Sequence, residues 1–535
     1  MKDFQNWLDS RLALAEKHLA HYVPLIVGAL VFLTLVLIPL KVVSLGYIPP
    51  DDASRHVAKA ISGKPWSEIL VMRPDITLDQ HLGWHTLLQL TYKTFFLDND
   101  SLVIFSVVSL CIIFSLTFFF GFRRSESVIL AMLLCVVTHP GILYRQMLGR
   151  PYIFSMSVLI LILLLWSNKN RIRWTRCAVT ILALAAAVWI HGACWYLFLL
   201  PVAAFFLSGY IVQGLALFGC WAAGCLGGAL LTGHPITFLR EQLIHMSLAF
   251  SGQPLTRMLV TEFQPADGSF GLVLAIACLI LAQKLLHGKW DPESFKNPIF
   301  YLGLLGWILG FKVVRFWLDW GYPAFLVWMT MQIQILLVWN LGYESLKRLS
   351  ITAFGCLALF LASTGDTHGR WTDNLSVVFI DAGDKKIADW LPGKGGIIYA
   401  ADMGIFYNTF YKNPHAPWKY ILGFEPGLMP EEDLKVYRTV QWRYLDAAYD
   451  PWVKKMRPED RLFIRGVSGV VPSIPSLEWS YVVHGTWVGR LPKEKKEAGG
   501  NKPQPEVKDS VSPTVPGKGQ DGTGQPKVPS KEKPG

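Results

Sequence analysis

A short stretch after the first apolar segment carries the densest set of reactive side chains in the chain. It reads IPPDDASRHVAKAISGKPW over residues 48–66 and places two adjacent carboxylates, Asp51 and Asp52, just before Arg55 and His56. A carboxylate can take a proton from a hydroxyl as a general base, and a pair of carboxylates can bind a divalent cation. Because a helix cap needs only one Asp, the second carboxylate indicates a chemical role for this stretch.

The two prolines before the acidic pair predict the end of the apolar segment and the start of a short helix that runs to about Ser62. In that helix Asp51 and Arg55 would share one face, as would Asp52 and His56, because residues four apart are neighbours. The helix is predicted to lie on the membrane surface, with both carboxylates at the end of the transmembrane bundle. An amphipathic connector with an Asp cap and ordinary surface ion pairs is the alternative interpretation.

Further ionisable side chains are expected on the same side of the membrane. They occur in the rest of the first loop and at the ends of later apolar segments: Arg73, His81, His85, Arg145, Arg150, His191, Lys312 and Arg315. Arg and Lys at an outer boundary depart from the usual placement of positive charge, and they suit a phosphate-bearing ligand. The alternatives are snorkelling of the cations to lipid headgroups and, for His191, a hydrogen bond between helices.

The composition indicates which elements must position these residues. Hydrophobic residues make up 52% of the 535 residues and charged residues 17%, against a charged share of about 25% in soluble proteins. The chain is therefore predicted to be a polytopic α-helical membrane protein with eleven transmembrane helices. These are expected near residues 23–44, 101–121, 127–144, 151–168, 177–191, 193–208, 211–232, 268–286, 298–314, 322–342 and 349–365.

The distribution of Lys and Arg predicts the orientation. With a cytoplasmic N-terminus, one side of the membrane receives short basic loops, and the other receives the loops 45–100 and 233–267 and the chain after about 366. Because short positive loops stay in the cytoplasm, Asp51 and Asp52 are predicted to face outward. In a bacterium this places the chain in the inner membrane, with the long loops and the C-terminal domain in the periplasm.

The chain is predicted to divide into four parts. Residues 1–22 form a cytoplasmic amphipathic segment, 23–365 the transmembrane domain, 366–492 a small α/β periplasmic domain, and 493–535 a disordered tail rich in Pro, Lys and Gly. In the third part the pattern predicts a strand in NLSVVFIDAG, a helix in DKKIADWLP, a strand in GGIIYAAD and a helix in MGIFYNTFYKNP. The amphipathic loop 233–267 is expected to form either an interfacial lid or a re-entrant connector.

Several classes of function find no support in the sequence. The net charge of +11 is explained by basic loops and a basic tail, and no nucleic-acid-binding signature accompanies it. The eight cysteines lie in or beside apolar segments without a CxxC pair, which argues against a disulfide framework or a cysteine metal site. P-loop and HExxH motifs are also missing from the sequence.

The layout resembles the GT-C superfamily of polytopic glycosyltransferases, which use sugars linked to polyprenyl phosphate. The resemblance rests on a cytoplasmic start, one span, an outer loop that opens with Asp51 and Asp52, many further spans and an outer C-terminal domain. It implies that Asp51 or Asp52 is the catalytic base for an inverting transfer to an acceptor hydroxyl. A divalent metal such as Mg²⁺ or Mn²⁺, if one is used, would be held by the same pair. No acceptor-peptide motif such as WWD occurs in the chain.

The resemblance also implies roles for the basic residues. Arg145, Arg150, Lys312 or Arg315 would stabilise the leaving polyprenyl phosphate, and His56, His81 or His85 would orient the base. The acceptor would be an envelope glycan, lipid or protein, and proteins of envelope biosynthesis are further expected partners. Three alternatives stay open at this stage: a polysaccharide polymerase or ligase of the O-antigen type, a transporter or lipid flippase, and a non-catalytic membrane partner in polysaccharide synthesis.

Overall fold

The architecture is that of a computed structural model. It describes Arg11 and residues 20–49, 51–139, 141–167, 172–250, 264–265, 269–288, 292–341, 345–443, 445–483 and 485–493. Most of the predicted segment 1–22, much of the second half of the loop 233–267 and the predicted tail after 493 lie outside the described residues. The chain up to Pro492 forms one compact unit.

A helix lies in each of the eleven predicted apolar segments. Their bounds are Val23–Ser44, Asn99–Phe120, Ser125–Thr138, Tyr152–Trp166, Trp174–Ile190, Leu199–Leu207, Ile211–Leu230, Phe270–His287, Pro298–Gly310, Tyr322–Leu341 and Ser345–Thr364. Among the described residues, five helices are long and apolar enough to cross a membrane, and six further apolar helices are shorter. The chain is therefore a mostly helical protein with membrane-spanning candidates, and the count of eleven spans stays a prediction.

The outward faces of these helices are apolar. Leu25 is 72% exposed, Leu182 is 70% exposed and Phe354 is 72% exposed, whereas Val31 and Phe114 on inward faces are fully buried. An apolar surface of this kind is unfavourable in water and suits contact with lipid tails. The exposure pattern thus supports a membrane protein independently of helix length.

Shorter helices connect the apolar ones and carry several of the predicted site residues. They are Asp52–Ser62, called the first-loop helix below, Trp66–Ile69, Leu82–Phe95, Gly141–Gln146, Pro235–Phe250, called the second-loop helix, and Pro292–Phe295. A 3₁₀ helix, Gly192–Phe198, precedes Leu199–Leu207. A π-helical turn, Phe316–Gly321, precedes Tyr322–Leu341. It packs closely against the helix Pro298–Gly310, since a Cβ on Gly306 would lie 2.4 Å from the Cα of Gly321.

The C-terminal region contains a five-stranded sheet. Its strands are β1 Ile397–Ala400, β2 Lys419–Tyr420, β3 Arg461–Arg465, β4 Glu478–Val483 and β5 Thr486–Arg490. In the order β2-β1-β3-β5-β4, β1 pairs in parallel with β2 and β3, and β5 pairs antiparallel with β3 and β4. The helices Met403–Lys412, Glu431–Arg443 and Asp450–Lys455 pack with the sheet. The predicted strand in GGIIYAAD and helix in MGIFYNTFYKNP are confirmed.

Two predicted elements at the start of this region are wrong. NLSVVFIDAG forms no strand, and near its end the side chain of Asn413 accepts from Ala382 N and donates to Ile380 O, so these two backbone groups bond to a side chain and not to a neighbouring strand. DKKIADWLP forms only the 3₁₀ turn Ala388–Trp390. There the Asp384 carboxylate accepts from Lys386 N at 2.9 Å, a local turn that competes with helix formation.

The first outer loop packs with the C-terminal sheet. Val71 N donates to Tyr420 O at 2.9 Å, and Leu70 makes a parallel bridge with the same strand residue. Ala58 and Trp66 of the loop share one hydrophobic cluster with Phe406 of the helix Met403–Lys412. These contacts hold the first outer loop against the C-terminal region.

Candidate functional site

The first-loop helix begins where the sequence predicts, but its surroundings differ from the prediction. Nearly all of its side chains are buried, including Arg55 at 2% and His56 at 1% exposure. The predicted placement on the membrane surface is therefore wrong, because the C-terminal region covers the helix. Asp51 occupies the cap position, yet its side chain accepts no hydrogen bond from the helix backbone.

Asp51 is instead bound by Arg150. Arg150 Nη2 donates to Asp51 Oδ2 at 2.5 Å and Nε donates to Oδ1 at 3.3 Å, so the guanidinium engages both carboxylate oxygens. Arg150 Nη1 also lies 3.4 Å from Asp52 Oδ2. This arginine follows Gly149, whose φ of +62° turns the chain and whose missing side chain leaves room for Ala53. The predicted association of Arg150 with the acidic pair is present in the structure.

Asp52 is held from the other side by Arg55. Arg55 Nε donates to Asp52 Oδ1 at 3.0 Å, so this ion pair joins residues three apart on the first-loop helix. The Arg55 guanidinium lies 3.9 Å from the ring centroid of Phe424, a residue of the C-terminal region. This stacking fixes the arginine in one plane and desolvates it.

A chain of hydrogen bonds leads from Arg55 to Asp79 through two histidines. Arg55 Nη2 lies 3.2 Å from His56 Nε2, His56 Nδ1 lies 2.8 Å from His85 Nε2, and His85 Nδ1 lies 2.5 Å from Asp79 Oδ2. An arginine can only donate and an ionised carboxylate can only accept. Both histidines must therefore be neutral with the proton on Nδ1, and every bond in the chain points from Arg55 towards Asp79.

The electrostatics of the chain agree with this assignment. Burial and the neighbouring positive charge of Arg55 lower the pKa of His56 well below its ordinary value. Burial lowers the pKa of His85 despite the opposing effect of Asp79. Burial disfavours ionisation of Asp79, but His85 and Lys59 outweigh it and lower the pKa of that carboxyl. The ionised end of the chain thus lies at Asp79, with Lys59 Nζ 3.7 Å from it.

His81 and His191 extend the cluster towards the transmembrane helices. The ring centroid of His81 lies 4.7 Å from that of His56 and 5.4 Å from that of His191, on which it stacks. His191 Nδ1 lies 3.0 Å from Ser155 Oγ. All four predicted histidines therefore belong to one contiguous group, which reaches from the first-loop helix to the end of the helix Trp174–Ile190.

Arg145 lies beside this group in an ion pair of its own. Its Nε donates to Asp319 Oδ1 at 2.7 Å and its Nη2 donates to Oδ2 at 2.9 Å. The Tyr152 hydroxyl donates to Arg145 O at 2.6 Å. Tyr47 interacts electrostatically with both Tyr152 and Asp51. Arg145 is thus connected to Asp51 through intervening tyrosines.

The remaining predicted residues are not part of the contacts described above. Arg73 makes a two-pronged bond to Asp75 at 2.6 and 2.9 Å in an exposed part of the first loop. Lys312 is exposed. Arg315 is half-buried and interacts electrostatically with Tyr196.

Three residues that contact the predicted ones were not among the predicted site residues: Asp79, Asp319 and Tyr407. Asp319 had a usable signal, because it is a lone carboxylate within an apolar run. Tyr407 had none, since it comes from the C-terminal helix Met403–Lys412 and interacts with Asp52 through space. Desolvation and that carboxylate raise the pKa of Tyr407 well above its ordinary value, so its hydroxyl remains protonated.

The arrangement does not fit a divalent metal ion. Within the part of the chain that the structure describes, no group of three or more His, Cys, Asp or Glu residues has the geometry to hold one. The oxygens of Asp51 and Asp52 are bound by arginine, and the nitrogens of His56 and His85 are committed to the hydrogen-bond chain. No chemical step is therefore assigned to a metal.

Comparisons with other proteins supply no family for the chain. No protein-family model matches it, and no curated protein matches it. The site itself consists of two partly accessible carboxylates, bound by the buried Arg55 and the half-buried Arg150, where apolar helices meet a folded polar region.

Proposed function

We propose that the protein is a membrane glycosyltransferase that transfers a sugar from a polyprenyl-phosphate donor to a hydroxyl of an envelope glycan, lipid or protein. The GT-C resemblance suggests the class, and the contacts of the acidic pair support it. The observation that carries the proposal is the shared binding of Asp51 and Asp52 by Arg150 at the start of the first-loop helix.

The accessibility of these groups supports a reactive role. The side chains of Asp51 and Asp52 are 23% and 18% exposed, whereas Arg55 is only 3% exposed and the histidines behind it are buried. A buried network thus ends in two carboxylates that an incoming hydroxyl can reach. A general base must lie within hydrogen-bond reach of the proton that it removes.

In the proposed reaction, Asp51 or Asp52 accepts the proton of the acceptor hydroxyl while that oxygen bonds to the anomeric carbon. The bond between this carbon and the phosphate oxygen breaks, its electron pair leaves with polyprenyl phosphate, and the configuration at the carbon inverts. We assign Arg150 to the leaving phosphate, because it already binds carboxylate oxygens with the geometry that phosphate oxygens require. Arg145 is less suited, since its pair with Asp319 is more buried, at 8% and 12% exposed, than the pair of Arg150 with Asp51, at 13% and 23%.

The histidine chain serves orientation in this proposal. Its bonds run in one direction from Arg55 to Asp79, so no proton needs to move along it during transfer. It holds Arg55 in place, and Arg55 in turn fixes one oxygen of Asp52. The two arginine contacts of Asp52, Arg55 on Oδ1 and Arg150 on Oδ2, fix the orientation of the carboxylate before the acceptor arrives.

Replacement of the acidic residues tests this function. Membranes that contain Asp51→Asn or Asp52→Asn would be prepared separately, and transfer from a radiolabelled polyprenyl-phosphate sugar would be measured in them. We expect a loss of about 10²- to 10⁴-fold in at least one variant, the usual contribution of general-base catalysis. The matched control is Asp75→Asn, which removes a carboxylate of the same loop that only binds Arg73.

Two outcomes would contradict the proposal in different ways. Full activity in both Asp51→Asn and Asp52→Asn would exclude them as the base. Absence of transfer by the unmodified protein, across donors that carry different sugars, would argue against the enzyme class and leave the non-catalytic partner as the better interpretation.

A further inference from the structure

Three segments meet beside the histidines. Gly192 N, at the start of the 3₁₀ helix, donates to Gln80 O at 2.9 Å. A Cβ on Gly192 would lie 2.2 Å from the ring of Phe238 in the second-loop helix, so these two elements are in direct contact. The Glu241 carboxylate accepts from Thr77 Oγ1 at 2.8 Å, and Thr77 N and Leu78 N also donate to it.

The periodicity of the elements decides which side chains face this junction. Gln242 lies four residues after Phe238, so both occupy the same face of the second-loop helix. Trp195 lies three residues after Gly192, one turn of a 3₁₀ helix, and its side chain packs in one cluster with Phe238. His81 follows Gln80 directly, and its ring stacks on His191.

These same residues carry buried polar atoms without hydrogen bonds. Among the described residues, such atoms include Gln80 Oε1, His81 Nδ1, Trp195 Nε1 and Gln242 Oε1. Gln80, His81 and Gln242 are 8%, 6% and 3% exposed, so water does not replace the missing partners freely. A buried polar atom without a partner costs stability, and its presence in a folded protein needs an explanation.

The chemistry of the four atoms is that of a neutral polar ligand. Two amide oxygens accept, an indole N–H donates, and none of the four side chains is an acid, an arginine or a lysine. Burial lowers the pKa of His81 well below its ordinary value, so its imidazole is uncharged as well. A hydroxyl group both donates and accepts, and a ring with several hydroxyls can satisfy such a mixed set. None of the four side chains offers a positive charge to an anionic group.

We propose that Gln80, His81, Trp195 and Gln242 form a subsite for the hydroxyls of an uncharged sugar. It rests on the proposed function, because the sugar is the one carried by the polyprenyl phosphate. The His81 ring contacts that of His56, and His56 bonds to Arg55, so the side chains of His56 and Arg55 connect the subsite to Asp52. The donor phosphate and the sugar are thus recognised by separate groups, one charged and one neutral.

The test compares the binding of two lipids by the unmodified protein and by one variant. Binding of polyprenyl phosphate and of polyprenyl phosphate linked to a hexose or a pentose would be measured by calorimetry on the full chain in detergent. We expect the unmodified protein to bind at least one sugar-linked lipid more tightly than the bare lipid. Gln242→Leu should reduce this preference about 3- to 10-fold, the effect of one neutral hydrogen bond, and leave binding of the bare lipid unchanged.

The variant is expected to fold, because replacing an unpaired buried amide by an apolar group of similar size is neutral or stabilising. The matched control is Gln332→Leu, which removes a buried glutamine whose oxygen already accepts from Gln283 Nε2 at 2.6 Å. The control should lose stability and keep the preference for the sugar-linked lipid.

The outcomes separate the subsite from the enzyme. If Gln242→Leu weakens binding of both lipids equally, or gains stability without any change in preference, the residue is only structural and the subsite is refuted. Equal binding of bare and sugar-linked lipids by the unmodified protein also refutes the subsite while the phosphate site stands. Binding of neither lipid counts against the proposed function itself and removes the subsite with it.

Discussion

The helix Ser125–Thr138 has an ion pair at one end and leads to the candidate site at the other, and the two differ in kind. At its first turn, Glu126 is fully buried, and Arg348 donates to its two oxygens at 2.8 and 3.3 Å. Beyond its last turn, Arg150 binds two carboxylates that remain about one-fifth exposed. One carboxylate is enclosed and the others are accessible.

The contrast teaches how a structural ion pair differs from a reactive one. Glu126 receives two guanidinium bonds in a site without access, so its partners can only hold helices together. Asp51 and Asp52 share Arg150, Asp52 also binds Arg55, and both carboxylates keep accessible surface. Polar atoms without partners occur at Gln80 and Gln242. Spare hydrogen-bonding capacity, rather than charge alone, distinguishes the candidate site.

The largest expected effect concerns the enclosed pair. Glu126→Gln would leave Arg348 in a buried position without its counter-charge, which typically costs about 3–5 kcal/mol. We expect a large drop in the thermal unfolding temperature in detergent, and unchanged transfer per folded molecule. Glu68→Gln, at an exposed glutamate of the first outer loop, is the control. An unchanged unfolding temperature in Glu126→Gln would show that the enclosed pair is not structural.

A smaller effect is expected where the outer loop packs against the transmembrane helices. A Cβ on Gly83 would lie 2.5 Å from the ring of Trp189 and 2.6 Å from its carbonyl oxygen, so Gly83→Ala should cost about 1–3 kcal/mol by overpacking. Gly28→Ala, where a Cβ meets nothing within 4 Å, should be neutral or slightly stabilising. Equal unfolding temperatures for the two variants would mean that the loop does not pack tightly there.

The pH dependence of stability tests the neutral histidines, and the contribution of a single histidine to it is the smallest effect expected here. Burial lowers the pKa values of His56, His81 and His85 in the folded state, whereas the unfolded chain takes up protons near pH 6.5. Their contribution is therefore present above about pH 6.5 and is lost on acidification, by about 1.4 kcal/mol per pH unit for each histidine that stays neutral in the folded protein.

The measurement is the unfolding temperature in detergent between pH 7.5 and 5.5, for the unmodified protein and for His81→Asn. The variant should show a shallower fall, because one group fewer takes up a proton on unfolding. Stability that rises on acidification would mean that the folded protein holds these histidines charged, and it would overturn the one-directional hydrogen-bond chain from Arg55 to Asp79.

Local features of the sequence predicted much of the secondary structure. The apolar segments contain helices, the first-loop helix ends at Ser62 as expected, and β1 and the helix after it lie where the pattern placed them. One failure has a local cause, because the Asp384 carboxylate closes a turn in DKKIADWLP. The other has a distant cause: NLSVVFIDAG has the alternation of a strand, but its Ile380 O and Ala382 N bond to the side chain of Asn413, about thirty residues on.

At the candidate site, too, the sequence predicted the local arrangement and not the contacts between distant segments. Spacing alone placed Asp51 and Asp52 at the start of a helix with Arg55 and His56 behind them. It could not select Arg150, 99 residues away, over Lys312 as the arginine or lysine that binds the pair, because both occur at the ends of apolar segments. It also gave no reason to associate Tyr407 or Phe424 with the first loop.

The sequence by itself determined the helical character of the chain, its apolar surface and the cluster of acidic and basic groups after the first apolar segment. These follow from periodicity and composition, which act over a few residues. Only the tertiary structure decided which carboxylate meets which arginine, that the histidines are neutral and aligned, and which amides are left without partners. Such properties depend on distance and desolvation, and both are set by segments far apart in the chain that fold against each other.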